Sequence, residues 1–516
     1  MIKKKKNLSY FSKLIFIILL ALSIFIVKKY ISNSSKFKKL TIALDLGVSL
    51  SNINPSRINV LAEAIVLRNL YSALFEYDEK GNIVTGLIKS FYWKNGVLKF
   101  DLITEPVLSN GKTISVNDVF FSLKRLMFLG NNLHGDLKEI LCPDVQLNNI
   151  NDDCPGIKAV GQTIEMKPIS KAFGQQLIPL LATVDFRIIP RESINENSPF
   201  FPIVNFNVTS GPYFSTIYDE RGNFNLRANL FHYKYSINMP QEVDVLSLNG
   251  NEATERFLNG TIDLISTSIP ITYENFQKIE KSVNDLSVSK SFNLKIKAIF
   301  FGKKALEDFD TFERFILAKK LRVFYDKIVL PMEVQSNEFF QDFASGYLST
   351  EQKNELQKLR DTASTSIDNF PRKASLAINR KSIDNWRSFL KQNKGFTPEL
   401  IDKSVFHMKV ENRPDVFAGV NDVTFNRSIS VLSYNLKQGI LGLYGDTAHD
   451  WFKKYLRANS SEHAIKILNE LHYKALSTCA IYPLTASPFI LLARNGWKAQ
   501  MNPFFSATEL WLLQKN

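Results

Sequence analysis

Three cysteines and six histidines are the side chains in this 516-residue sequence with the widest chemical repertoire. Cys142 and Cys154 lie twelve residues apart in a polar loop, LCPDVQLNNINDDCPG, with no other Cys or His close in sequence. That spacing suits a disulfide in an oxidising compartment better than a metal site, and closing such a loop stabilises by up to about 3 kcal/mol. Cys479 is left over before Ala480-Ile481 and reads as a buried free thiol. His463 and His472 share one expected helix, but nine residues at about 100° each put them on opposite faces, where they cannot share a metal. His407 and His449 are isolated, and Glu252 and Glu255 fall near a helix start, where acids complement the dipole. No P-loop, GxSxG, HExxH or CxxC motif occurs. The sequence therefore presents no catalytic constellation, and a non-enzyme that uses no cofactor is expected.

Charge points away from nucleic acid. The formal balance is +14, yet the first 39 residues hold ten lysines (3, 4, 5, 6, 13, 28, 29, 36, 38 and 39) and no acid, leaving about +4 for the rest. The same segment reads as a targeting element. Lys3–Lys6 is a basic start, residues 14–27 are apolar except Ser23, and Lys28-Lys29 closes the run. Fourteen residues fit a secretory core better than a full span of roughly 20. With no Ala-x-Ala site and no lipobox cysteine, a cleaved signal and an uncleaved N-in anchor over residues 11–31 both stay open. Either places the remainder outside the cytoplasm.

Residues 40–516 are enough for two or three domains. Strands are expected at 40–45, 374–378, 404–410 and 427–434, and helices at 62–75, 312–328, 382–392 and 461–476. This alternation predicts a largely parallel sheet. The most explicit punctuation is KFDLITEPVLSNGKTISVNDVFFSLKR, residues 99–125. An apolar strand leads to an Asn110-Gly111 turn, then to a Ser115-Val116-Asn117-Asp118 capping box that opens a helix with Val119, Phe120, Leu123 and Leu126 on one face.

The order and wording of that stretch resemble the signature of the extracellular solute-binding proteins of peptide/nickel ABC importers (family 5). Asn110-Gly111 and Asn117–Arg125 match its "dG" turn and "tAeDVvfslkR" helix, although Ile103-Thr104 stand where Leu-Arg is usual. Leu70–Phe75, Gly81-Asn82-Ile83 and Ser90–Trp93 follow the family's next segment. Ser210-Gly211-Pro212-Tyr213, Leu226–Asn229, the Gly260–Ile265 ending and Ala480–Leu484 follow in order, spanning about 410 residues, while 305–480 matches in pattern only. The resemblance implies a two-lobed α/β periplasmic-binding-protein fold (type II, cluster C) with an extra inserted domain. Domain I would be 40–82, 184–268 and 484–516, domain II 83–183 and domain III 269–483, after the segment 1–39.

The resemblance further implies an exported receptor that captures a peptide or similar solute between its lobes and delivers it to an inner-membrane ABC permease, most simply as a monomer. The alternative is a membrane-tethered sensor or assembly protein on the same fold. In peptide binders of this family an acid just after an interlobe strand pairs with the ligand's α-amino group. The matching strand is read as residues 429–435, where Asn435 replaces the acid, with Ser433 and Tyr434 beside it as ligand residues. A weaker, uncharged acceptor is expected there, with Asp446 or Asp450 as fallback acids.

Overall fold

A computed structural model describes residues 38–515, except 47–49, 59, 79, 130–134, 170, 327–331, 342–345, 363–372, 381–382, 403–404, 423–431, 433–434 and 437. The expected leader or anchor, 1–37, lies outside the described residues. Among the described residues no helix is long and apolar enough to cross a membrane.

The first lobe is built on a seven-stranded sheet, ordered Ser287–Lys290, Ile490–Ala493, Leu264–Ile265, Lys39–Leu44, Glu242–Ser247, Phe224–Ala228, Tyr213–Tyr218. Lys39–Leu44 is parallel to both neighbours. All other pairs are antiparallel. The expected parallel sheet is therefore mixed: Tyr213–Tyr218 returns through a short turn to pair antiparallel with Phe224–Ala228, and Ile490–Ala493, from the far end of the chain, enters antiparallel between Leu264–Ile265 and Ser287–Lys290. Ser287–Lys290 completes this sheet although it falls inside the span expected for the third domain.

The inserted unit is a four-stranded antiparallel sheet, Ile88–Lys94, Val97–Leu102, Thr163–Met166 and Ile157–Val160. Helix Val116–Leu129 covers it, opening with the expected capping box: the Asp118 carboxylate accepts from Ser115 N at 3.0 Å, and Ser115 Oγ accepts from Asp118 N at 3.0 Å. The turn before it needs Gly111 at φ 79°, a region a Cβ disfavours. Gly211 serves differently: a Cβ there would stand 2.5 Å from the Leu70 carbonyl carbon, so only glycine lets the two backbones meet.

The second lobe carries a six-stranded sheet, Val334–Gln335, Ile481–Ser487, Lys295–Phe301, Val416–Asp422, Ala374–Asn379, Phe396–Ile401. Helices Thr311–Tyr325, Ile383–Gln392 and Ser461–Ser477 form near their expected places. One expected strand, 404–410, does not form, and the other, 427–434, lies outside the described residues except for Leu432. Val405–His407 and Val410–Asn412 are short 3₁₀ turns. Phe406 lies over the sheet face against Phe300 and Phe417, contributing a ring and not ladder hydrogen bonds. Leu432 is helical. A strand forms at Val416–Asp422, fixed by seven-residue pairing with Lys295–Phe301.

Candidate functional site

The chain passes between the large sheets at 291–294 and at 487–490, side by side. Ser291 N donates to Phe489 O at 3.0 Å, and Phe489 N donates to Ser291 Oγ at 2.9 Å. Three strands of the second lobe end at this junction. Lys295 is in register with Asp422 on one side and Ser487 on the other. Its ammonium stands 4.8 Å from the Phe489 ring centroid. Burial lowers the Lys295 pKa from its ordinary value, while the charges of Asp422 and Glu333 pull it back up.

Asn421, the neighbour of Asp422, donates from Nδ2 to Asn435 Oδ1 at 3.0 Å. Asn435 is fully buried and helical, and its own Nδ2 has no hydrogen-bond partner among the described residues. A buried amide N–H left unpaired costs about 1–3 kcal/mol. Of the sequence-derived site residues, Asn435 is thus placed at the junction strand, and Ser433 and Tyr434 lie outside the described residues. Asp446 and Asp450 are exposed on helix Gly445–Leu456. Asp422, in register with Lys295, is an acid at this junction beyond those expected from the sequence. Its signal was the ending Gly419-Val420-Asn421-Asp422, an acid closing an apolar run one strand earlier.

Two other charged groupings are structural in geometry. In the first lobe Glu76 binds Arg187 at 3.0 Å and also Lys234, and Arg68 binds Glu509, all within the buried interior except the partly exposed Lys234 head. The Lys234 and Arg187 charges hold the Glu76 carboxyl well below the usual range against the opposing effect of its burial. A concavity of about 700 Å³ lies against the 109–118 turn, lined in part by Lys112, Asp118, Arg191, Glu192 and Glu196. Its charges are spent on one another, Lys112 on Glu192 at 3.2 Å and Arg191 on Glu196 at 2.6 Å, so size alone does not make it the site. The lobes also touch beyond the junction: helix Lys171–Leu181 of the insert packs on Gly445–Leu456, and Tyr455 Oη donates to Gln176 Oε1 at 3.2 Å.

The cysteines are arranged as follows. Cys142 and Cys154 are bonded, S–S 2.07 Å, and Cys479 is buried and free. His472 is fully buried, whereas His463 sits at the exposed start of the same helix. No group of three or more His, Cys, Asp or Glu able to hold a metal occurs among the described residues.

No family model matches the sequence, and no curated protein matches it. Solved structures do. The murein tripeptide binding protein MppA of Escherichia coli superposes with a TM-score of 0.71 at 18% identity, over 93% of this chain and 99% of that one. The fold is that of a two-lobed solute-binding protein. NikA from Staphylococcus aureus, in complex with Ni(L-His)2, gives 0.69 at 16% over 93% and 100% of the two chains. A dipeptide binding protein from Pseudoalteromonas sp. SM9913, in complex with Met-Leu, gives 0.71 at 13% over 93% and 100%. The ligands of these proteins range from a metal chelate to peptides.

Proposed function

We propose that this chain belongs to the family 5 solute-binding proteins and works as an exported receptor. It captures a peptide or a similarly sized polar solute between its lobes and presents it to an ABC permease in the inner membrane. The observation that supports this most is the agreement of fold across 93% of this chain with proteins that bind peptides and a metal chelate. Length, order of elements and the two adjacent crossings all fit a receptor that binds by lobe movement. The segment 1–37 tethers the receptor to the membrane from the periplasmic side. The lysines ahead of its apolar run favour that orientation, and no Ala-x-Ala site follows it.

The ligand's polar end meets Asn435 Nδ2 and the Asp422 carboxylate at the junction; Ser433 and Tyr434, which precede Asn435 in the sequence, remain the further ligand residues that the family resemblance implies. The unpaired, buried Nδ2 favours this locus, since a ligand carbonyl would satisfy it. Asp422 already faces Lys295, so a ligand ammonium there competes with an internal cation and gains less than at a free acid. Calorimetry with matched free and N-acetylated peptides tests the assignment. Asn435→Ala is expected to weaken both by about tenfold, and Asp422→Asn to weaken only the free amine. Unchanged affinity in both variants would remove the locus from consideration.

A further inference from the structure

The connection between strands Phe224–Ala228 and Glu242–Ser247 has a two-sided composition. His232 and Lys234 turn inward, to Ser72 Oγ at 2.8 Å and to Glu76, and Met239 is buried. Leu230, Phe231, Tyr235 and Ile237 turn outward, with exposures of 63%, 49%, 36% and 64%. Four large apolar side chains within eight residues form a patch that a monomer rarely leaves bare without a use. Residues 227–241 contain no Asp or Glu.

Where the chain enters the fold is the second observation. Lys38 joins this same connection: its carbonyl accepts from Gln241 N at 2.9 Å, and its ammonium lies 3.4 Å from Asn238 Oδ1. Only residues 32–37 separate Lys38 from the segment 11–31, and six residues reach at most about 20 Å when fully extended. A tethered domain must therefore hold the Lys38 end of its first sheet close to the bilayer. At that end the two sides differ. Asp263 and Asp285 stand on one side of Lys39–Leu44, bonded to Thr41 N and Gly496 N. The apolar connection, itself free of acids, stands on the other and is followed by Glu242 and Asp244, which are paired with Lys39; Lys28, Lys29, Lys36 and Lys38 precede strand Lys39–Leu44 in the chain.

We propose that residues 229–239 are a membrane-contact loop, whose Leu230, Phe231, Tyr235 and Ile237 enter the headgroup region of an anionic phospholipid leaflet beside the tether. The proposal rests on the tether reading above. Apolar and aromatic side chains in the interface, backed by lysines attracted to anionic lipid, are the chemistry such a surface binds. The contact would fix the first lobe against the bilayer and leave the second lobe free to move about the 291–294 and 487–490 crossings.

The full-length chain reconstituted into vesicles of phosphatidylethanolamine and phosphatidylglycerol tests this. Cys142 and Cys154 are bridged and Cys479 is buried, so a single introduced cysteine takes an environment-sensitive fluorophore selectively. Ile237→Cys and Leu230→Cys are expected to show blue-shifted emission and to lose more than half of it to a spin label on the lipid chains. Val160→Cys, 52% exposed on the inserted sheet, is the control and keeps its emission. If the protein floats with the vesicles but positions 230 and 237 behave like 160, the loop proposal is overturned, a protein partner for the patch is favoured, and the tether stands. If the protein does not float with the vesicles, tether and loop fall together.

Discussion

Acidification from about pH 7 to about pH 5 should loosen the second lobe through one side chain, His472. Its Nε2 accepts hydrogen bonds from the backbone N–H groups of Phe339 and Phe340, at 3.1 and 3.2 Å, and its Nδ1 lies 3.0 Å from Gly346 O. Only a neutral ring, protonated at Nδ1, satisfies all three contacts. Burial pushes the folded pKa from 6.5 down to about 3; the hydrogen bond to the Gly346 carbonyl opposes it, and the nearby Lys353 and Arg360 charges add to the lowering. The folded value is thus below the unfolded one, so the unfolded chain binds the extra proton between them. Stability is complete above the unfolded value and is lost as pH falls through it. Integrated over that interval, the loss is about 2 kcal/mol for this histidine, with folded-state protonation still negligible. Hydrogen exchange at the Phe339 and Phe340 amides reads the effect locally, which a multidomain protein requires. Protection corrected for intrinsic exchange should fall about 20-fold or more. His472→Gln, which keeps an acceptor and does not titrate, should remove the pH dependence. The reasoning fails if protection is unchanged between the two pH values, or if the glutamine variant loses it equally.

Three other outcomes follow from packing. Glu509→Gln leaves the buried Arg68 without its carboxylate and should cost about 3–5 kcal/mol in urea unfolding, whereas Arg68→Met with Glu509→Leu should recover most of that loss. Cys142→Ser with Cys154→Ser should lower the stability of the inserted sheet by about 3 kcal/mol, seen as faster exchange in residues 157–166 and reproduced by reductant on the native chain. Gly211→Ala forces a Cβ onto the Leu70 backbone and should cost about 3 kcal/mol or abolish soluble protein, measured by thermal unfolding; a shift of under a degree would mean the backbones can part freely.

Much of the local structure was legible because it is written locally. The Asn110-Gly111 turn and the Ser115–Asp118 box act over four residues each, and helices 383–392 and 461–477 carry their own periodicity. The overall architecture agrees with the one the family resemblance implied. Strand partners were less legible. Strand 416–422 is defined by its pairing with Lys295–Phe301, more than a hundred residues away in sequence. Asn435, expected at a strand end, is helical. Sheet direction was misjudged because alternation of elements does not say which strands become neighbours. The Glu76, Arg187, Lys234 and Arg68–Glu509 contacts join residues up to 441 apart and leave no trace in any local window.

The central claim is capture of a small solute between the lobes, and native mass spectrometry of the protein purified from its own cells tests it most directly. The account predicts an adduct in the peptide or small-chelate mass range, released on denaturation, rebinding to the emptied protein, and lost on substitution of Asn435 by Ala. A chain that carries no adduct, binds none of the released solutes or peptides offered back to it, and behaves identically after that substitution would contradict it.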